Sequence, residues 1–333
     1  MLQALALVLA AGGMNGSFAT PMKRVRGWEW EHTWLLWSFF GMIVIPLAVA
    51  VATVPDLSGV YRAAGPAPLA RTAFFGMLWG IGAVLFGLGV IRVGIALGFG
   101  IILGTASFFG AVIPLIELHR DRLSSSVGIL TLVGASIVCA GVAACSRAGV
   151  LRQKAVPGKP EAGSFAGGVM ICILSGLGSG VMSIALNEAA PIYKTAELLG
   201  TSSAQSLNAV WPVLLAGGFV ANAAYCGSLI IIRHSAGRFT ESTTANLGLV
   251  LGMAVLWSGS NFLYGAGARS MGSLGLVLGW PMFMAAIVLT ANAWGVLTGE
   301  WRGAGRLSAA WAIAGNSMLI LGICAIASAS RAA

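Results

Sequence analysis

Long apolar runs that contain no Asp, Glu, Lys or Arg alternate with short polar segments along the whole chain. Ten of these runs reach 20 residues or more, and the other gaps between charges are far shorter. A helix needs about 20 apolar residues to cross the hydrocarbon core of a bilayer. The pattern therefore predicts ten transmembrane helices, at residues 1–22, 32–55, 72–91, 93–116, 123–146, 162–187, 198–232, 242–268, 270–299 and 307–330.

The polarity within and between the runs predicts the fold class. Each run is continuously apolar, which favours helices over the alternating strands of a membrane barrel. The longest polar segment, 147–161, carries four basic residues and two prolines. We expect it to link two five-helix halves, 1–146 and 162–333. The predicted fold is all-α and integral to the membrane, without an extramembrane segment large enough to form its own core.

The charges that flank the runs predict how the chain is oriented. No Lys or Arg precedes the first run, so we expect an uncleaved helix there rather than a signal peptide. Loops after helices 1, 3, 5, 7 and 9 hold 12 of the 19 Lys and Arg residues, and the other side holds 7. Because cytoplasmic loops are enriched in Lys and Arg, both termini are predicted to be non-cytoplasmic.

Composition excludes several classes of protein. The chain is 58% hydrophobic and 9% charged, whereas a soluble globular protein is about 25% charged. This excludes a soluble enzyme and a disordered chain. The net charge of +9 is spread between the apolar runs instead of forming one basic patch. We therefore expect the lipid bilayer, and no nucleic acid, as a partner.

A repeat links the third predicted helix to the eighth. Residues 79–89 (WGIGAVLFGLG) align with 257–267 (WSGSNFLYGAG) at an offset of 178 positions. The alignment pairs Trp79 with Trp257 and matches two glycines within the segment and a third beyond it. A weaker similarity joins 16–18 to 180–183. Because each half has an odd number of helices, related helices cross in opposite directions, as in the inverted repeats of secondary transporters. Channels and membrane enzymes can also be duplicated.

The chain lacks the sequence signatures of catalysis and of ATP hydrolysis. It contains no Walker A, GxSxG, HExxH or CxxC motif. The three histidines lie at predicted helix ends, without the spacing of metal ligands. We therefore predict that the protein is not an enzyme and uses no cofactor or metal. Any concentrative transport would draw on an ion gradient.

Proton coupling requires a titratable group in or near the membrane. No Asp or Glu lies deep within an apolar run, and the nearest candidates are Glu117 and Glu188, just after the fourth and sixth runs. Either carboxyl group is a candidate proton carrier. The alternative is an interfacial carboxylate that pairs with a nearby Arg or Lys.

Polar and aromatic side chains inside the runs are candidates for binding a sugar. Amides hydrogen-bond to hydroxyl groups, and aromatic rings can stack on the apolar face of a sugar. Helix packing is the alternative role for each of them. Tryptophans near the run ends, such as Trp34 and Trp37, are assigned to the interfacial belt. The candidate substrate-binding residues are Asn15, Trp79, Trp257, Asn261, Tyr264 and Trp280.

Several strings resemble the L-rhamnose/proton symporter family of the drug/metabolite transporter superfamily. The most specific is Trp28-Glu29-Trp30-Glu31 in the loop after helix 1. The resemblance covers the whole chain in matching helix order, through residues 23–31, 77–82, 94–98, 179–183 and 299–306.

This resemblance implies ten helices in a bacterial inner membrane and uptake of a 6-deoxyhexose together with a proton. Residues 270–280 are uncharged, where enterobacterial members of the family carry an acidic stretch. The resemblance therefore indicates a permease for a sugar or small metabolite more firmly than it indicates rhamnose. The alternative is a facilitator or exporter of another small metabolite, without proton coupling.

Overall fold

The computed structural model describes residues 2–93, 95–118, 120–155, 165–299 and 301–332, and the regular elements within these ranges are all helical. A five-residue π turn spans Phe40–Val44. The α-helices are α1 (Leu2–Ser17), α2 (Trp30–Phe39), α3 (Ile45–Thr53), α4 (Leu57–Ala64), α5 (Pro66–Val93), α6 (Ile95–Leu118), α7 (Ser126–Ala155), α8 (Phe165–Glu188), α9 (Ala190–Leu198), α10 (Trp211–Ile232), α11 (Thr243–Ser270), α12 (Gly275–Leu297) and α13 (Arg306–Ala332).

Within the described residues, nine helical segments are long and apolar enough to cross a membrane. They confirm an all-helical chain with the properties of an integral membrane protein. The described part of α6 contributes a shorter apolar helix, Ile101–Ile113, at the position of the fourth predicted run. The nine segments are Leu2–Arg24, Trp30–Thr53, Pro66–Gly89, Ser126–Arg152, Ala166–Leu198, Ser203–Ile232, Thr243–Ser270, Gly275–Leu297 and Arg306–Ser328.

Some boundaries of the elements differ from the charge-free runs. Helix α7 continues to Ala155, so the first nine residues of the predicted linker 147–161 are helical. These residues are mostly good helix formers, and the first proline comes only at position 157. The rest of the linker lies outside the described residues, and the division into two halves stays a prediction. The seventh run, 198–232, starts at the end of α9 and contains the 3₁₀ turn Ser203–Ala209 before α10 starts.

Proline explains the irregularity in the second span. Pro46 has no N–H to donate to the carbonyl group four residues earlier. The π turn Phe40–Val44 lies directly before α3, in which Pro46 occupies the first turn. A π turn accommodates a missing bond in the hydrogen-bond ladder without ending the helix. Hence α2 and α3 form one span, Trp30–Thr53.

The long helices pack in a defined pattern. Helices α5 and α6 both pack on α8, and α11 and α12 both pack on α1. Helix α7 packs along α13, and α10 contacts α2 and α5. Glycines permit the closest approaches, because a β-carbon at Gly80 of α5 would lie 2.5 Å from the carbonyl oxygen of Gly218 of α10.

The loops form two opposite faces of the helix bundle. On the first face, the segment between α1 and α2 meets the first turn of α11, where the Asn246 amide donates to the Arg26 carbonyl oxygen at 2.7 Å. On the second face, Tyr61 of α4 donates to the Ala209 carbonyl oxygen at 2.9 Å. Burial raises the pKa of Tyr61, so its hydroxyl group stays neutral and remains a donor.

Candidate functional site

Trp79 on α5 and Trp257 on α11 stack on each other in the interior of the protein. Their ring centroids are 5.8 Å apart, with an angle of 25° between the planes. Trp79 is 9% exposed and Trp257 is 5% exposed. Gly218 of α10 leaves room for this arrangement, because a β-carbon there would lie 2.8 Å from the Trp79 ring. The structure thus brings together the two tryptophans that the repeat alignment pairs.

Three further tryptophans extend this stack along α2. Trp37 meets Trp257 edge to face with centroids 5.1 Å apart. Trp34 lies 4.4 Å from Trp37, and Trp30 stacks on Trp34 at 5.0 Å. We call Trp30, Trp34, Trp37, Trp257 and Trp79 the tryptophan row. The assignment of Trp37 to an interfacial belt is wrong, because this side chain is only 2% exposed and faces α11.

Two indole N–H groups of the tryptophan row differ in their partners. Trp34 Nε1 donates to Asn222 Oδ1 at 2.9 Å. Trp37 Nε1 is buried and has no hydrogen-bond partner among the described atoms. An unpaired buried donor costs about 1–3 kcal/mol. Trp37 therefore offers a hydrogen bond to any polar ligand that reaches the row.

Polar side chains surround Trp257. Asn15 of α1 donates from Nδ2 to Ser260 Oγ at 2.9 Å, and Ser260 donates to the Trp257 carbonyl oxygen at 2.6 Å. Asn261 Nδ2 donates to the same carbonyl oxygen at 3.1 Å. The structure therefore places Asn15 and Asn261 close to the Trp257 backbone; the Asn15 amide joins α1 to α11, whereas the Asn261 bond lies within α11.

Tyr264 and Trp280 form a separate aromatic group with Phe283. The Tyr264 and Trp280 centroids are 5.8 Å apart, and Phe283 lies 4.9 Å from Tyr264. Tyr264 donates to the Leu276 carbonyl oxygen at 3.1 Å, and Trp280 Nε1 donates to the Ala106 carbonyl oxygen at 3.0 Å. Because both polar groups already have backbone partners, these contacts favour a packing role for this pair.

Of the two predicted proton carriers, the structure describes the side chain of Glu188 and not that of Glu117. Glu188 at the end of α8 pairs with Arg71 of α5, with Oε2 and Nη1 3.1 Å apart, and the two side chains are 26% and 61% exposed. This is the arrangement of a partly solvated interfacial pair.

Comparison with known proteins identifies the family. A family model described as L-rhamnose-proton symport protein (RhaT) matches residues 3–332. The chain belongs to the RhaT family. Three relatives named L-rhamnose-proton symporter come from Mannheimia succiniciproducens (28% identity; 87% of this chain and 86% of its own covered), Pectobacterium atrosepticum (28%; 91% of each) and Klebsiella pneumoniae (27%; 87% and 86%).

RhaT membership confirms the family that the Trp-Glu-Trp-Glu string predicted. It makes the chain a transporter, and not an enzyme, in agreement with its many apolar helices. Within the described residues no group of three or more His, Cys, Asp or Glu side chains is placed to hold a metal ion. The assignment of RhaT to the drug/metabolite transporter superfamily stays a prediction.

The string that carries the resemblance to RhaT packs on the segment between α10 and α11. Glu31 Oε1 lies 3.0 Å from Arg233 Nη1, and Glu29 Oε1 lies 2.7 Å from Arg238 Nη1. His32 Nε2 lies 2.8 Å from the Ser235 carbonyl oxygen. We call these six residues the Glu31 cluster. An open cleft of 520 Å³ lies beside it, lined by Glu29, Arg233, His234, Ser235, Gly237, Arg238 and Glu241.

Sequence reasoning missed the Glu31 cluster. Glu31 directly precedes the second apolar run, in the predicted loop after the first helix. The alternation of Trp and Glu at 28–31 places Glu31 on the same polar face as Glu29, so it gives no signal that Glu31 is buried. Its partner Arg233 is 202 positions away, and no pattern along the chain indicates the pairing.

Proposed function

We propose that the chain is a proton-coupled symporter that takes up L-rhamnose or a related sugar across the bacterial inner membrane by alternating access. Membership in the RhaT family and the relatives named L-rhamnose-proton symporter support this function. Because the relatives share only 27–28% identity with this chain, the particular sugar is part of the proposal.

The contact between Trp79 and Trp257 is the observation that carries the proposed sugar site. One indole comes from each predicted half, and the two are equivalent in the repeat. A pyranose ring presents C–H groups that pack on an indole face, and its hydroxyl groups need donors and acceptors. Trp37 Nε1 and the amide of Asn15 supply such groups nearby. The two indoles touch here, so sugar entry requires the halves to separate.

The pattern of helix packing supports two inverted repeats of five spans each. Counting the long helices in chain order, with α2 and α3 as one span, makes α5 the third, α8 the sixth and α11 the eighth. If each span is replaced by the span five places further on, counting from the tenth back to the first, the α5–α8 contact becomes the α11–α1 contact. The same replacement converts α6–α8 into α12–α1, and it returns the α7–α13 pair to itself.

Glycines at these equivalent contacts support the same symmetry. A β-carbon at Gly16 of α1 would lie 2.7 Å from the Ile287 carbonyl oxygen of α12. A β-carbon at Gly176 of α8 would lie 2.8 Å from the Ile102 carbonyl oxygen of α6. Inverted repeats with a site between them are the usual construction of secondary transporters. On this reading the first face is cytoplasmic and both termini are outside, as the Lys and Arg bias predicts.

Uptake into proteoliposomes tests the proposed function. The vesicles receive an inward proton gradient and radiolabelled rhamnose, fucose or a non-sugar control. Accumulation of rhamnose that a protonophore abolishes supports symport. Equilibration that does not depend on the gradient would favour the facilitator alternative, and the absence of any sugar flux would refute the sugar reading.

A further inference from the structure

Glu31 is unusual among the acidic side chains of the protein because it is buried. Its side chain is 2% exposed, whereas the carboxylates of Glu29, Glu188 and Glu197 are 26–47% exposed. Among the described residues it is the one buried acidic residue. Burying a carboxylate is costly unless it is paired. Its partner Arg233 is 54% exposed, so the pair joins the protein interior to water.

The neighbours of Glu31 include two buried polar atoms without partners. His32 is fully buried, and its Nε2 must carry a proton to donate to the Ser235 carbonyl oxygen. Its Nδ1 is buried and has no hydrogen-bond partner among the described atoms. The hydroxyl group of Ser235 is also buried and unpartnered. A region that leaves polar atoms unpaired is arranged for something other than stability.

The position of the Glu31 cluster connects proton access to the moving parts of the proposed transporter. Glu31 lies in the first turn of α2, in the first predicted half, and Arg233 follows the last turn of α10, in the second. The cleft is lined by Arg233 and is open to water. A proton can therefore reach the pair from solvent, at the place where the two halves meet.

We propose that Glu31 is the carboxylate that binds the transported proton, and that its pairing with Arg233 couples protonation to movement of α2 against α10. This inference rests on the proposed symport function and assigns a residue to it. A proton from the cleft adds to the Glu31 carboxylate and neutralises it. Arg233 then loses its charged partner and turns to water, which weakens the contact between the halves. Release of the proton restores the pair.

Other charged or titratable groups close to Glu31 have defined places. Arg238 pairs with Glu29, and both side chains are nearly half exposed. His32 adjoins Glu31 in α2, and its ring meets Phe239 edge to face at 4.8 Å. The Cys226 thiol on α10 is buried and lies on the same side of the helix bundle as Glu31. His234 and Glu241 line the cleft.

The test compares Glu31→Gln with Glu197→Gln in proteoliposomes. Glu197 is the matched control, because its carboxylate also pairs with an Arg, Arg269 at 2.7 Å, and it lies outside both the Glu31 cluster and the lining of the cleft. One proton per sugar and a gradient of one pH unit support accumulation of about tenfold. We expect Glu31→Gln to equilibrate rhamnose without accumulating it, to retain rhamnose counterflow, and to lose the pH dependence of counterflow. Glu197→Gln should keep the accumulation and pH profile of the unmodified protein.

Several results would overturn the assignment of Glu31. Glu31→Gln that accumulates rhamnose with an unchanged pH profile would do so, as would a folded variant that has lost counterflow altogether. Loss of coupling in Glu117→Gln, Glu188→Gln or His32→Gln, with Glu31→Gln still coupled, would place the proton elsewhere. The absence of sugar uptake by the unmodified protein would instead refute the proposed function.

A second variant covers the possibility that an unpaired Arg233 prevents folding. Removing one member of a buried ion pair is more disruptive than removing both. Glu31→Gln combined with Arg233→Gln should therefore restore a monodisperse protein in detergent and show the same uncoupled exchange. Proton-driven accumulation by this double variant would contradict the proposal.

Discussion

Trp79 and Trp257 stack on each other although they lie 178 positions apart, at equivalent places in the two predicted repeats. A contact between equivalent residues of two inverted halves must lie near the axis that relates the halves. Transporters of this construction bind substrate close to that axis. The stack is therefore both a structural marker of the repeat and the centre of the proposed sugar site.

Shrinking either indole of the stack should weaken sugar binding. We expect Trp79→Phe and Trp257→Phe each to raise the KM for rhamnose about threefold, since aromatic contacts contribute about 0.5–1.5 kcal/mol. In the double variant, KM should rise by less than the product of the two single increases, because both residues act through one stack. Initial rates of uptake measure the effect. Trp311→Phe, at an exposed position on α13, is the control and should leave KM unchanged.

The indole N–H of Trp37 should matter for binding and not for stability. Trp37→Phe keeps a ring but removes the unpartnered donor, so we expect a higher KM for rhamnose and a smaller fall in Tm than Trp34→Phe causes, since both variants lose the same ring volume. Trp34→Phe removes a donor that bonds Asn222 and should lower Tm. Thermal unfolding in detergent and uptake kinetics distinguish the two variants. An unchanged KM in Trp37→Phe would remove this residue from the sugar site.

The Glu31 cluster and the Trp79–Trp257 stack differ in how far sequence predicts them. The sequence relates Trp79 to Trp257 because the repeat gives them equivalent positions, but it does not predict that their rings touch. No repeat in the sequence relates Glu31 to Arg233, so their pairing was not predictable. Burial of Trp37 was missed because a tryptophan near the end of an apolar run suits an interface and a core equally well.

The helices themselves were largely predictable, because lipid offers no hydrogen-bond partners to the backbone. Each apolar run must satisfy its own hydrogen bonds, so its presence specifies a helix. The limits of each helix depend on weaker local effects. Helix α7 continues past the end of the fifth apolar run at residue 146 to Ala155, since helix-forming residues such as Leu151 and Gln153 prolong it into the predicted linker.

Asp56 should stabilise α4 in a pH-dependent way. Its carboxylate accepts hydrogen bonds from the Gly59 backbone N–H at 2.8 Å and from the Ser58 hydroxyl group at 3.1 Å. These bonds, the backbone bond foremost, lower the pKa of Asp56. A lowered pKa in the folded state makes stability greater above the ordinary Asp value and removes that gain as pH falls through the lowered value.

The corresponding measurement compares two variants over a pH series. Asp56→Ala should have a lower Tm than the unmodified protein at neutral pH, and the difference should shrink below about pH 4. Asp56→Asn can still cap the helix but does not titrate, so its Tm relative to Asp56→Ala should not depend on pH. A constant gap between the unmodified protein and Asp56→Ala would show that the carboxylate does not act through its charge.

Gly80 and Gly227 should respond oppositely to the same substitution. A β-carbon at Gly80 would lie 2.5 Å from the carbonyl oxygen of Gly218 and 2.7 Å from its α-carbon. Both contacts are to backbone, which cannot rotate away, so α5 and α10 must separate. Overpacking of this kind costs about 1–3 kcal/mol. At Gly227 of α10 a β-carbon meets nothing within 4 Å. Alanine there removes a glycine from a helix interior and should be neutral or stabilising by up to about 1 kcal/mol.

Thermal unfolding in detergent and rhamnose uptake together check the contrast. Gly80→Ala should lower Tm and reduce transport, because the Trp79–Trp257 contact depends on how closely α5 and α10 pack. Gly227→Ala should leave both unchanged or raise Tm. If Gly80→Ala has the same Tm and the same rhamnose uptake as the unmodified protein, α5 and α10 are not packed through Gly80 and Gly218. The stack would then need a different support from the one that Gly218 provides.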